Sequence, residues 1–135
     1  MNAAPIPLMT FELPAEARSV GTARRWMRAF AGEHGGDPEL QDRVGSALTE
    51  ALANTVLHAY AAPEVGRIDI AADIEDGALE IVVVDDGSGL RASSSDYRGA
   101  GMGFGIIAST ADAFAIRERA PQGTEVWLRF ELAAG

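Results

Sequence analysis

The sequence predicts a two-layer α/β (α+β) sandwich, with helices on one face of a mixed, mostly antiparallel sheet. Three observations point there. Two stretches in the first half carry apolar residues at helical spacing: Val20, Ala23, Met27 and Phe30, then Leu40, Val44, Ala47, Leu48, Ala51 and Thr55. Two later regions, 68–84 and 114–132, are each a pair of strand-like runs split by a turn sequence. The resulting order, β-α-α-β-β-α-β-β, groups its strands in adjacent pairs instead of alternating them with helices.

Taken in order, residues 8–13 alternate weakly before Pro14 and read as a short edge strand. The first helix runs from 15 to about 34 and ends in Gly32, Gly35 and Gly36. Asp37-Pro38 starts the second helix, because a side-chain acceptor followed by proline suits an N-cap and first helical position. That helix extends to about His58. Ile68, Ile70, Ala72 and Ile74 mark a half-buried strand, Glu75-Asp76-Gly77 a hairpin turn, and 79–84 a strand apolar enough to be central. A polar segment, 86–100, leads to a short helix over 104–112. Strands at 114–119 and 124–132, joined by Pro121-Gln122-Gly123, complete a second hairpin. One domain over 1–135 accounts for the whole chain, with its motifs between about 10 and 132.

Composition narrows the function. A hydrophobic share of 47% supports a real core, and a net charge of −9 argues against nucleic-acid or anionic-membrane partners. Absence of cysteine removes disulfides, thiolate metal sites and a cysteine nucleophile. No run approaches a membrane span and no secretory signal opens the chain, so the expected compartment is the cytoplasm. All 11 basic residues are arginine. With no lysine, neither a Walker A loop nor the strand lysine of eukaryotic-type kinases is present.

Three groups of residues carry chemistry. Glu50, Asn54 and His58 recur at i, i+4 and i+8 on the second helix, so Glu50 and Asn54 point the same way. Asp85-Asp86-Gly87-Ser88-Gly89 follows the central strand; its alternate glycines let backbone approach a flat ligand, and a strand-end carboxylate accepts from an exocyclic amine. Gly101-Met102-Gly103-Phe104-Gly105 opens the third helix, where unpaired N–H groups and the helix dipole favour phosphate. Each group alone has a plainer explanation, respectively a solvated helix face, a tight turn and a hinge. The basic face of the first helix, Arg18, Arg24, Arg25 and Arg28, reads as solvated, with partner docking as the alternative.

The four motifs in this order resemble those of the Bergerat-fold (GHKL) ATPase superfamily. Glu50-Ala51-Leu52-Ala53-Asn54 matches its N box, Asp85, Gly87 and Gly89 its Asp-x-Gly-x-Gly box, Gly101, Gly103 and Gly105 its second glycine box, and Gly123-Thr124 its final Gly-Thr. The short length, Glu-Ala-Leu-Ala-Asn and Gly-Met-Gly-Phe most resemble the anti-sigma-factor serine/threonine kinases. The resemblance implies ATP and Mg²⁺ as cofactors, Glu50 as general base, and Asn54 as the metal ligand. It places Asp85 on the adenine amine, Gly87 and Gly89 under the base and Thr124 beside it. Gly101, Met102, Gly103, Phe104 and Gly105 would form the phosphate loop, and Arg98 matches an arginine that can touch the γ-phosphate.

This sequence differs from the pattern in two places: Gly99 and Ala100 separate Arg98 from the loop, and Pro121 replaces a glycine. Residues 90–100 correspond to an ATP lid. With no phosphoacceptor-histidine helix before the domain, histidine autophosphorylation is not expected. The implied activity is phosphorylation of a serine on an anti-anti-sigma antagonist, with a sigma factor as second partner. A non-catalytic module that selects partners by nucleotide is the alternative. Kinases of this kind are often homodimers, and nothing in the sequence fixes a symmetry axis.

Overall fold

The computed structural model describes residues 7–59, 66–86, 105–118 and 123–132, with side chains left out for 54–59. Its elements are β1 (Met9–Pro14), α1 (Ala17–Glu33), α2 (Pro38–Ala59), β2 (Arg67–Glu75), β3 (Ala78–Asp85), β4 (Ala113–Glu118) and β5 (Thr124–Glu131). Residues 105–110 are also helical. The strands form one sheet in the order β1-β2-β3-β5-β4, and every neighbouring pair is antiparallel. The expected sandwich is therefore present, with the described sheet antiparallel throughout.

Alternation along the strands creates the layer interface. Ile68, Ile70 and Ala72 of β2, Ile81 and Val83 of β3, and Val126, Leu128 and Phe130 of β5 are buried together with Met27 and Phe30 of α1 and Val44, Leu48 and Leu52 of α2. Each such large side chain contributes about 1.5–3 kcal/mol on burial. The central place of β3 explains why its sequence is almost continuously apolar. On the open face the outward positions are mixed, and Arg129 of β5 bridges to Glu80 of β3 at 2.7 Å. That hydrogen bond raises the pKa of the Arg129 guanidinium, which is charged at neutral pH in any case.

The ends of the elements follow local chemistry. Asp37 caps α2: its Oδ1 accepts from Leu40 N at 2.8 Å, and its carbonyl accepts from Gln41 N. Between the helices, a Cβ on Gly36 would press on the Ala31 carbonyl and the Leu40 side chain, both at 2.8 Å. Glu16 makes no side-chain cap on α1; Ser19 Oγ instead donates to the Pro14 carbonyl at 2.6 Å. Asp76 and Gly77 both have positive φ, 52° and 74°, as a two-residue type I′ hairpin requires.

Two boundaries differ from the sequence reading. Pro14 is the last residue of β1 instead of its terminator, because β1 is an edge strand where a missing N–H is tolerated. The third helix, expected to reach 112, stops at 110. Asp112 N donates to the Arg129 carbonyl, which turns the chain into β4. Among the described residues no helix is long and apolar enough to cross a membrane.

Loss of the α2 cap is expected to be measurable. Asp37→Ala should destabilise the protein by about 1 kcal/mol and lower the thermal midpoint by a few degrees. An unchanged midpoint by circular dichroism would show that the Asp37 side chain does not stabilise α2.

Candidate functional site

At one end of the sheet, four residues share a single inward-facing row. Ile68 pairs with Asp85, Asp85 with Thr124, and Thr124 with Glu118. Asp85 continues the buried phase of Ile81 and Val83, so it ends β3 facing the helical layer and is only 9% exposed. Thr124 opens β5 in the phase of Val126 and Leu128 and is 8% exposed. A buried carboxylate beside a buried hydroxyl is costly unless both have partners.

The residue before Thr124 shows how tightly the chain passes here. Gly123 has φ +116°, and a Cβ there would collide with the Asp85 carbonyl. Only glycine lets the 123 backbone lie against Asp85. The neighbouring acid has a structural role: Asp86 Oδ1 accepts from Arg67 N at 3.0 Å and lies beside Gly66, which joins the end of β3 to the start of β2. The two consecutive aspartates thus divide their roles, Asp85 facing the layer interface and Asp86 tying strands together.

On the helical side, Glu50 is partly exposed on α2. It lines a groove of about 390 Å³ with Arg24, Arg28, Ser46, Thr49 and Ile106. Gly45 gives that groove its shape, because a Cβ there would crowd the stems of Arg28 and Arg24 at 3.3–3.4 Å. Two of the four α1 arginines therefore border the groove. Arg28 is held by Asp42 at 2.8 Å and by the Gln41 carbonyl at 3.1 Å, and Arg24 reaches Thr49 Oγ1 at 3.4 Å. Arg18 pairs with Glu16 outside it, at 2.9 Å.

Asn54 lies on α2 one turn beyond Glu50, and its side chain falls outside the described residues. The same is true of Gly87, Gly89, Arg98, Gly101, Met102, Gly103 and Phe104 in full. Gly105 is the first described residue of the helical stretch 105–110, and an added Cβ there would meet nothing within 4 Å among the described residues. Packing among the described residues therefore does not explain that glycine.

The residues present suit an adenine nucleotide. A buried carboxylate on the inner row can accept from an exocyclic amine, the Thr124 hydroxyl lies next to it, and Gly123 permits close backbone approach. Among the described residues no cluster of three or more His, Asp or Glu is placed to hold a metal.

Sequence reasoning singled out Asp85, Glu50 and Thr124; the structure pairs Asp85 with Thr124 on the inner row, whereas Glu50 stands in the groove between the helices. It passed over Gly123 as a steric requirement, although a glycine directly before a strand residue is itself a signal for unusual backbone.

Comparison with known proteins agrees with this fold. Residues 13–130 match the family model for the histidine kinase-like ATPase domain. The anti-sigma F factor of Clostridium acetobutylicum is 30% identical over 137 residues, covering 93% of this chain and 94% of that protein. The anti-sigma F factor of Heyndrickxia coagulans is 29% identical over 138 residues, covering 93% and 92%. The crystal structure of the RsbU and RsbW domains of Rv1364c from Mycobacterium tuberculosis superposes with a TM-score of 0.74 at 26% identity, over 98% of this chain and 34% of that one. The SiaB–SiaC complex of Pseudomonas aeruginosa shares the fold, with a TM-score of 0.67 at 16% identity. The chain therefore belongs to the histidine kinase-like ATPase family that includes the anti-sigma F factors.

Proposed function

We propose that this protein is a cytoplasmic anti-sigma factor with serine/threonine kinase activity. It transfers the γ-phosphoryl group of ATP to a serine of an anti-anti-sigma antagonist, and so switches between that antagonist and a sigma factor. The observation that carries this reading is the placement of Glu50: it stands in the wall of an open groove, whereas Asp85 is buried at the end of the sheet. One carboxylate is shielded for recognition and the other is accessible to an incoming hydroxyl. A module that only binds nucleotide has no use for the second.

In this reading Asp85 accepts from the adenine amine and Thr124 completes the base pocket. Asn54 holds Mg²⁺, which neutralises charge on the phosphates when bound. The segment 101–105 cradles the phosphates and Arg98 meets the γ-phosphate. Glu50 takes the proton of the serine hydroxyl as its oxygen bonds to the γ-phosphorus and the bond to the ADP oxygen breaks. Phosphoryl transfer of this kind needs positioning and charge neutralisation more than covalent help from the protein. Arg24 and Arg28, beside Glu50, give the antagonist hydrogen-bond donors at a groove that Asp42 also lines, paired to Arg28.

The test is incubation of the purified protein with labelled ATP and candidate antagonists. Phosphoserine on an antagonist is expected. Intact nucleotide binding with no labelled partner would replace the kinase with a non-catalytic module that selects partners by nucleotide. Glu50→Gln should keep ATP affinity and lose transfer by roughly 10²–10⁴-fold; turnover at the parental rate would remove Glu50 from the chemistry. Asn54→Ala should abolish magnesium-dependent ATP binding, and titration with and without the cation checks this. Asp85→Asn should erode the preference for ATP over GTP, measured by competition; a parent protein that binds both equally would refute the adenine role.

A further inference from the structure

We infer that Ile106 is a specificity-determining residue: it selects an acceptor serine that has a large aliphatic side chain within two residues of it in the antagonist. Given the kinase reading above, on which this rests, the groove beside Glu50 is where that serine enters. Among the described residues four large apolar side chains are exposed: Leu8, Trp26, Ile106 and Phe114. Single exposed apolar groups are common and need no function. Ile106, 41% exposed, differs from the other three in its surroundings, because it alone of them lines the groove that holds Glu50.

Its direction is fixed by its neighbours. Successive helical residues stand about 100° apart, so Ile107, fully buried in the core, turns Ile106 out of it. Arg43 Nη1 of α2 donates to the Thr110 carbonyl at 3.0 Å and holds the same short helix against α2. Ser109 Oγ and Thr110 Oγ1 donate to the Ile106 carbonyl at 2.9 and 2.7 Å. Those bonds use the backbone oxygen, so they do not depend on the side chain at 106.

The rest of the groove is polar or small. From α2 it takes Asp42, Gly45, Ser46, Thr49 and Glu50, which recur at helical spacing along one stripe. From α1 it takes Arg24 and Arg28, and Arg28 is tied to Asp42 at 2.8 Å and to the Gln41 carbonyl at 3.1 Å. Ile106 is therefore the one large apolar side chain among the described lining residues. At about 390 Å³ the space suits a short loop segment. With the serine hydroxyl at Glu50, a nearby side chain of that segment meets Ile106. A polar group there would lose water and gain no partner. An aliphatic one removes apolar surface from water on both molecules.

Steady-state kinetics with the antagonist protein that the labelled-ATP assay identifies test this. Ile106→Ser is expected to raise KM for that antagonist about tenfold, with kcat within about twofold of the parent and Ile106→Val restoring KM to within about threefold. Sequencing of the labelled phosphopeptide should find leucine, isoleucine, valine or methionine within two residues of the phosphoserine. Changing that residue to serine should raise KM about tenfold for the parent enzyme and no more than about twofold for Ile106→Ser, the non-additivity expected of groups in contact. Parental KM in Ile106→Ser, a fall in kcat alone, additive effects of the two changes, or no aliphatic neighbour beside the phosphoserine would overturn the inference. If Ile106→Ser does not fold, the changed antagonist with the parent enzyme carries the test, and an unchanged KM there overturns it. A parent protein that labels no antagonist would instead refute the kinase reading, and the inference with it.

Discussion

The antiparallel pairing of β3 with β5 organises this molecule. The register that sets Val83 against Val126 and Ile81 against Leu128 fills the core, and the same register sets Asp85 against Thr124 where the core ends. Slippage by one residue would turn every one of these side chains to the opposite face. Burial of the apolar pairs therefore also specifies the polar one. Gly123 sits at this junction, because its backbone passes too close to Asp85 for any side chain.

The second helix serves both layers at once. Its stripe of Leu40, Val44, Ala47, Leu48, Ala51 and Leu52 is buried, which fixes its rotation about its own axis. Glu50 is thereby left at the border of the stripe, partly exposed and facing the groove. No separate device is needed to orient it: a helix with an apolar stripe this wide has little rotational freedom. The Asp37 cap and the close approach at Gly36 set where the helix begins, and hence how far along it Glu50 lies.

Charge is distributed to match. The chain is strongly acidic, yet the groove beside Glu50 is bordered by Arg24 and Arg28, and the 105–110 helix is gripped by Arg43. Arginine suits these places because its planar guanidinium donates in several directions at once, to carbonyls as well as carboxylates. In a chain without lysine, carbonyl oxygens of Gln41 and Thr110 become anchoring points for two of these side chains.

Much of this was legible in the sequence. Helical spacing, the Asp37-Pro38 start, the Asp76-Gly77 turn and the apolar run of β3 follow from local sterics and burial, so they could be read residue by residue. The order of four motifs, Glu50–Asn54, Asp85-x-Gly87-x-Gly89, Gly101-x-Gly103-x-Gly105 and Gly123-Thr124, resembles that of a nucleotide-binding superfamily. The strand order β1-β2-β3-β5-β4, the collision that makes Gly123 obligatory, and the grip of Arg43 on Thr110 depend on segments far apart in the chain. Periodicity says which face of an element is buried but not which element covers it. Only the tertiary structure, by bringing residues 43 and 110 or 85 and 123 together, decided those contacts.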